Sequence, residues 1–71
     1  MPNPPISTGG SLRTLRRLAG LTLAEVADLA DTSIAYLSKV ERGEFVPTKR
    51  YVAAVTAAIA GVLAEAEKVS A

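Results

Sequence analysis

The sequence predicts an all-α domain: a compact bundle of four to five helices built around a helix-turn-helix. Three observations point there. Apolar residues recur at helical spacing through most of the chain, and Ser or Thr repeatedly stands where a helix would begin. The segment "LAEVADLADTSIAYLSKVERG" also loses its helical rhythm across "DTS" and then regains it. Seventy-one residues make one domain, near the lower size limit for folding without staples. Cysteine and histidine are absent, so disulfides and the usual zinc ligand sets are excluded. Stability has to come from an aliphatic core, with a partner subunit as a further source. The composition suits that: 49% of residues are hydrophobic, and the only aromatics are Tyr36, Phe45 and Tyr51.

The elements follow in order. "MPNPPISTGG" holds three of the four prolines and two glycines without periodicity, so residues 1–10 read as a disordered arm. Arms that enter a minor groove are basic, and this one has no Lys or Arg, which argues against that role. Ser11 then caps a first helix, Leu12 to Ala19, with Leu12, Leu15 and Ala19 on one face, and Gly20 ends it. Thr22 caps the second helix, where Thr22-x-x-Glu25 has the form of a capping box. Leu23, Val26, Ala27 and Ala30 recur there at i, i+3, i+4 and i+7.

Ser33 caps a third helix whose inward face is Leu37 and Val40, and Gly43 ends it. "EFVP" is a loop, because Pro47 disfavours helix in the residue before it. Thr48 caps a fourth helix with Val52, Val55, Ile59, Val62 and Ala66 on one stripe. Gly61 leaves two readings open, one continuous helix or a kinked or split pair. The domain thus spans residues 11–67, and "KVSA", residues 68–71, is expected to fray.

Several function classes fall away. The seven carboxylates follow no catalytic motif, His and Cys are missing, and Gly9-Gly10 is an isolated pair rather than a phosphate loop. An enzyme is not expected, nor a metal, a cofactor or a small-molecule ligand. The apolar run "YVAAVTAAIAGVLA" is fourteen residues, too short to span a bilayer. The N-terminus lacks a basic stretch followed by a hydrophobic one, so no secretion signal is read and a cytoplasmic location is expected. A net charge of +1 decides little. Arg13, Arg16 and Arg17 cluster early, while Lys39, Arg42, Lys49 and Arg50 are diluted by Glu41 and Glu44. That distribution fits a nucleic-acid surface and an ordinary soluble surface equally.

The interruption at "DTS" carries more. Two short helices joined by a tight turn and crossing steeply form a helix-turn-helix, and the geometry asks for particular residues. Ala27 lies where the helices cross, and its small side chain permits close approach. Asp31 stands where the chain reverses, a site for left-handed backbone. Leu37 and Val40 pin the third helix onto the second. With that side spent on packing, the third helix is left to offer its N-terminal end and outer face to a DNA major groove.

These residues resemble a known family, the phage repressor and Cro-like (lambda-repressor-like, XRE-type) helix-turn-helix proteins. The resemblance covers "LRRLAGLTLAEVADLADTSIAYLSKVERGEFVPT" and "VAAVTAAIA", about two thirds of the chain. Arg16, Thr22, Val26-Ala27, Ser33, Glu41-x-Gly43 and Pro47 all fall in register with the family pattern. The resemblance implies a lambda-repressor-like bundle acting as a transcriptional repressor on double-stranded operator DNA. It places Ile34, Ala35, Tyr36, Ser38 and Lys39 at the base-reading positions. Lys39 suits guanine O6 and N7, Ser38 several base edges, and Ile34 and Ala35 a thymine methyl. Thr22, Ser33, Arg42, Lys49 and Arg50 are the phosphate-binding candidates. Arg16 and Glu41 are implied to form a structural ion pair between the first helix and the end of the third.

Blander readings stand beside these. Ile34 and Tyr36 also suit the edge of a core, and the charged residues suit plain solubility. Two positions depart from the family pattern: Leu23 replaces a usual Gln, which removes a polar contact near Thr22, and Asp31 replaces a usual Gly. Leu18, Leu23 and Leu29 exceed what one small core needs, which suggests a homodimer on DNA reading two half-sites. No separate effector domain is expected, so action is by occupying the operator. Two rival functions are an autoregulating antitoxin and a helical protein-interaction module that has lost its groove contacts.

Overall fold

The structure is a computed structural model, and it describes residues 7–69, with side chains through residue 67. Four helices and no strand occur among them: α1 (Thr8–Leu18), α2 (Leu23–Leu29), α3 (Ile34–Glu41) and α4 (Lys49–Val69). Helices α1 and α2 each pack against both α3 and α4. The core between them is Leu12, Val26, Ala27, Leu37, Val40, Val55 and Ile59. One or two residues of each helix supply it, set on one face by the 3.6-residue period.

Side-chain oxygens start the helices. The Thr22 hydroxyl accepts from the Glu25 amide at 3.1 Å, and the Thr22 amide donates to the Glu25 carboxylate at 2.8 Å, completing the capping box. Ser33 Oγ accepts from the Tyr36 amide at 3.0 Å, and Thr48 Oγ1 from the Tyr51 amide at 3.1 Å. The first helix begins earlier than its sequence suggests. Ser7, rather than Ser11, is the cap, its Oγ accepting from the Gly10 amide at 2.9 Å. The last residues of the expected arm are therefore cap and first helical turn, while its residues 1–6 lie outside the described ones.

The reason is a tertiary contact. Gly9 is buried, and a Cβ there would fall on the Val40 carbonyl oxygen. Only glycine lets α1 come so close to the end of α3, and that contact outweighs the poor helix propensity of a Gly-Gly pair.

One motif ends α1, α2 and α3 alike. Just past each helix the backbone turns left-handed, at Gly20 (φ 72°), Asp31 (φ 54°) and Gly43 (φ 79°). The next amide then donates five residues back to an otherwise orphaned carbonyl: Leu21 to Arg16, Thr32 to Ala27, and Glu44 to Lys39. At the other end of the molecule, α4 runs unbroken through Gly61, which settles the choice left open by the sequence. It continues to Val69, two residues into the stretch expected to fray, and residues 70–71 lie outside the described ones. Val55 and Ile59 are buried, Val52 and Val62 half-buried, and Ala66 exposed, so the apolar stripe leaves the core near its end.

Candidate nucleic-acid interface

Helices α2 and α3 with the turn 30–33 form the interrupted segment. Leu37 and Val40 have no exposed surface, and Ala27 is 2% exposed at the crossing. The opposite side of α3 is open: Ala35 and Lys39 are exposed there, and at its N-terminal end half of Ile34's surface reaches solvent. Ser33, at the N-terminal end of α3, is exposed too. Its oxygen caps the helix, which leaves its hydroxyl proton to donate outward.

Two of the base-reading candidates sit differently. Ser38 is half-buried in a hollow lined by Arg13, Arg16, Leu23, Glu41 and Arg42. Tyr36 is 37% exposed. Its ring stacks on Phe45 (centroids 5.6 Å apart, 17° between planes) and meets Tyr51 edge-on at 5.1 Å. Tyr36 is therefore divided between the outer face and an aromatic cluster. Lys39 shares that cluster, its Nζ lying 5.6 Å from the Phe45 centroid.

The remaining phosphate-binding candidates lie at helix ends: Thr22 before α2, Arg42 after α3, and Lys49 and Arg50 in the first turn of α4. Thr22, Arg42, Lys49 and Arg50 are all exposed. The Thr22 amide and hydroxyl are already engaged with Glu25, so an anion at Thr22 competes with the capping box for them. Arg42 Nε lies 3.0 Å from the Glu44 carboxylate in a pair whose partners are both about half exposed, a contact that water and salt weaken. Sequence reasoning left out two residues. Arg13 lines the hollow beside Ser38, one helical turn before Arg16, and that spacing was the available signal. Phe45 had none, since its partners Tyr36 and Lys39 lie across the turn that ends α3, where helical spacing no longer applies.

An ion pair forms part of the wall of this hollow. Arg16 donates from Nε and Nη2 to the two carboxylate oxygens of Glu41, and from Nη1 to the Leu21 carbonyl, each at 2.9 Å. The side chains are 11% and 4% exposed. The hydrogen bonds to Glu41 push the guanidinium pKa upward, with its charge adding to the effect and burial opposing it. Leu23, expected to be surplus, packs against the core edge beside this pair.

The buried crossing and the open outer helix define a helix-turn-helix domain. The family described as "Helix-turn-helix domain" matches residues 9–68, and the chain belongs to it. Among known proteins it is similar to "Transcriptional regulator ClgR" of Mycobacterium tuberculosis, strains CDC 1551 / Oshkosh and ATCC 25618 / H37Rv. Identity is 41% over 51 residues, covering 72% of this chain and 46% of the relative in both strains. The chain thus spans about half the length of the curated relatives it matches. Among solved structures it resembles the clp gene regulator ClgR from C. glutamicum. That match has a TM-score of 0.73 and 35% identity, and covers 97% of each chain. The described residues contain no helix long and apolar enough to cross a membrane.

Proposed function

We propose that this protein is a sequence-specific DNA-binding transcriptional regulator. Its α3 enters the major groove of an operator, and it acts in a bacterial cytoplasm. One observation carries the reading: α3 buries Leu37 and Val40 completely while Ala35 and Lys39 are exposed on its other side and Ile34 is exposed at its N-terminal end. A helix used only for packing gains nothing from an exposed Ile and an exposed Lys. A helix that reads base edges needs an open face, with its N-terminal end forward.

In this reading Ile34, Ala35, Ser38 and Lys39 face bases, with Tyr36 at the margin. Ser33, Thr22, Arg42, Lys49 and Arg50 hold the backbone on either side, and Arg13 joins them. The mode is that of the phage Cro and immunity-repressor class, in which occupancy of the operator blocks polymerase. Two copies bind together. Leu18 (75% exposed), Leu29 (53%) and Leu63 (40%) support that pairing, since an isolated small domain gains nothing by exposing three leucines.

The test is selection of bound duplexes from a random pool, followed by titration across salt. A palindromic consensus with half-sites about one helical turn apart is expected. Affinity is expected to fall steeply as salt rises, because released counterions drive binding. Retention of no sequence, or affinity indifferent to salt, would favour the protein-interaction module instead.

A further inference from the structure

We infer that Phe45 is a positioning residue for Lys39, and that base selectivity by this lysine depends on the aromatic ring beside it. The inference rests on the DNA-binding reading above and adds to it a residue that lies outside α3. Four contacts form a continuous chain. The Thr32 and Tyr51 hydroxyls share a hydrogen bond of 3.1 Å. Tyr51 meets Tyr36 edge-on at 5.1 Å, Tyr36 stacks on Phe45 at 5.6 Å, and the Lys39 ammonium lies 5.6 Å from the Phe45 centroid. The chain begins in the turn of the helix-turn-helix, crosses to α4, and ends at an exposed cation on the recognition helix. All three aromatic residues of the protein belong to it.

Lysine is a compact charge on a flexible stem, and fixing it against a base costs conformational freedom. A ring face attracts the ammonium through its quadrupole without consuming the N–H donors a guanine needs. The ring serves this purpose only if it is itself held. Phe45 is 45% exposed in a loop, where an unsupported side chain would move freely, and the stack on Tyr36 prevents that. Preorganising the lysine before binding raises the contribution of its base contact and leaves long-range attraction to phosphates unaltered.

The test uses the full chain with two probes, the duplex enriched from a random pool and a scrambled duplex of equal length. Phe45→Leu keeps apolar bulk and removes the π face; Phe45→Tyr keeps both. F45L is expected to reduce discrimination between the duplexes by roughly two- to five-fold, the range a surface cation–π contact supports. F45Y is expected to restore it, and F45L is expected to add nothing once Lys39 is alanine. Equal weakening on both duplexes, or an undiminished effect in the K39A background, overturns the proposal. In the free protein, nuclear Overhauser contacts between the Phe45 ring and the Lys39 methylenes are expected. Their absence beside intact DNA selectivity refutes the positioning role alone. Their presence in a protein that binds neither duplex refutes the DNA-binding reading and this inference with it.

Discussion

Arg16 grips Glu41 in parallel fork geometry and also ties the Leu21 carbonyl, so one guanidinium joins α1, the end of α3 and the segment leading into α2. With 11% and 4% exposure, neither charge has much water to fall back on. Glu41→Ala strands the guanidinium, and the expected loss is roughly 3 kcal/mol or more. For a domain of this size that lowers the melting temperature by on the order of ten degrees. Arg16→Met combined with Glu41→Leu removes both charges and is expected to recover most of the loss. Thermal melts of the two variants decide it; a Glu41→Ala protein that melts like the parent would mean the pair contributes nothing.

Two glycines are expected to respond in opposite directions. At Gly9 a methyl group meets the Val40 carbonyl, part of a backbone that α1 cannot avoid. Gly9→Ala should therefore destabilise by about 1–3 kcal/mol, the usual cost of overpacking. Gly61 lies within α4 and a methyl there meets nothing within 4 Å. Gly61→Ala should stabilise by about 0.5–1 kcal/mol through helix propensity alone. Urea midpoints measure both, and a Gly9→Ala variant as stable as the parent would show that α1 can retreat from α3.

What the sequence made legible was governed by range. The starts of α2, α3 and α4 depend on Thr22, Ser33 and Thr48 bonding to amides three residues on, so local reading suffices. The start of α1 depends on Gly9 fitting against Val40, a contact far along the chain, and the same Gly-Gly pair looks locally like a helix breaker. Tyr36, Phe45 and Tyr51 fall in three different elements, so no spacing rule links them. Leu23 looked surplus because the period of α2 alone cannot show that the hollow beside Arg16 needs an apolar wall. The Arg16–Glu41 contact joins distant residues as well, and only the family resemblance pointed to it.

The capping box predicts a pH dependence. Hydrogen bonds from the Thr22 backbone and side chain hold the Glu25 carboxyl below the ordinary carboxylate range, although the group is exposed. A depressed folded-state value stabilises the fold above the unfolded value, and that contribution is lost as pH falls through the folded one. The start of α2 should therefore loosen only below about pH 4. The Thr22 amide resonance reports it directly, and its titration midpoint should lie below that of an unstructured glutamate. Glu25→Gln keeps an acceptor for the same amide and should abolish the titration. A midpoint at or above the unstructured value would contradict the prediction.

Asp31 performs with a side chain what Gly20 and Gly43 do without one. All three take left-handed backbone after a helix, and Asp31 alone bears the steric cost of a Cβ there. Asp31→Gly is expected to leave stability unchanged or raise it by up to about 1 kcal/mol, relief of strain being offset by a more flexible unfolded chain. Asp31→Val should lose about 1–2 kcal/mol, since β-branched residues resist this conformation most. Denaturant midpoints ranked Gly, Asp, Val from most to least stable are expected, and a reversed order would mean the Asp side chain contributes more than the strain it causes.

Lys39 and Arg50 separate two ways of holding DNA. Lys39 stands on the outer face of α3, while Arg50 lies in the first turn of α4, beyond the loop that carries Phe45. If Arg50 meets only phosphate, Arg50→Ala should weaken every duplex alike and reduce the dependence of log affinity on log salt by about one ion. Lys39→Ala should instead relax preference at one base pair, by about 1–3 kcal/mol, and change the salt slope little. Arg42→Ala should resemble Arg50→Ala with a smaller slope change, because Glu44 already offsets part of that charge in the free protein. Affinities for the selected duplex and its single-base variants, measured at several salt concentrations, test all three. An Arg50→Ala protein that changes base preference while Lys39→Ala does not would place the reading surface on α4 rather than α3.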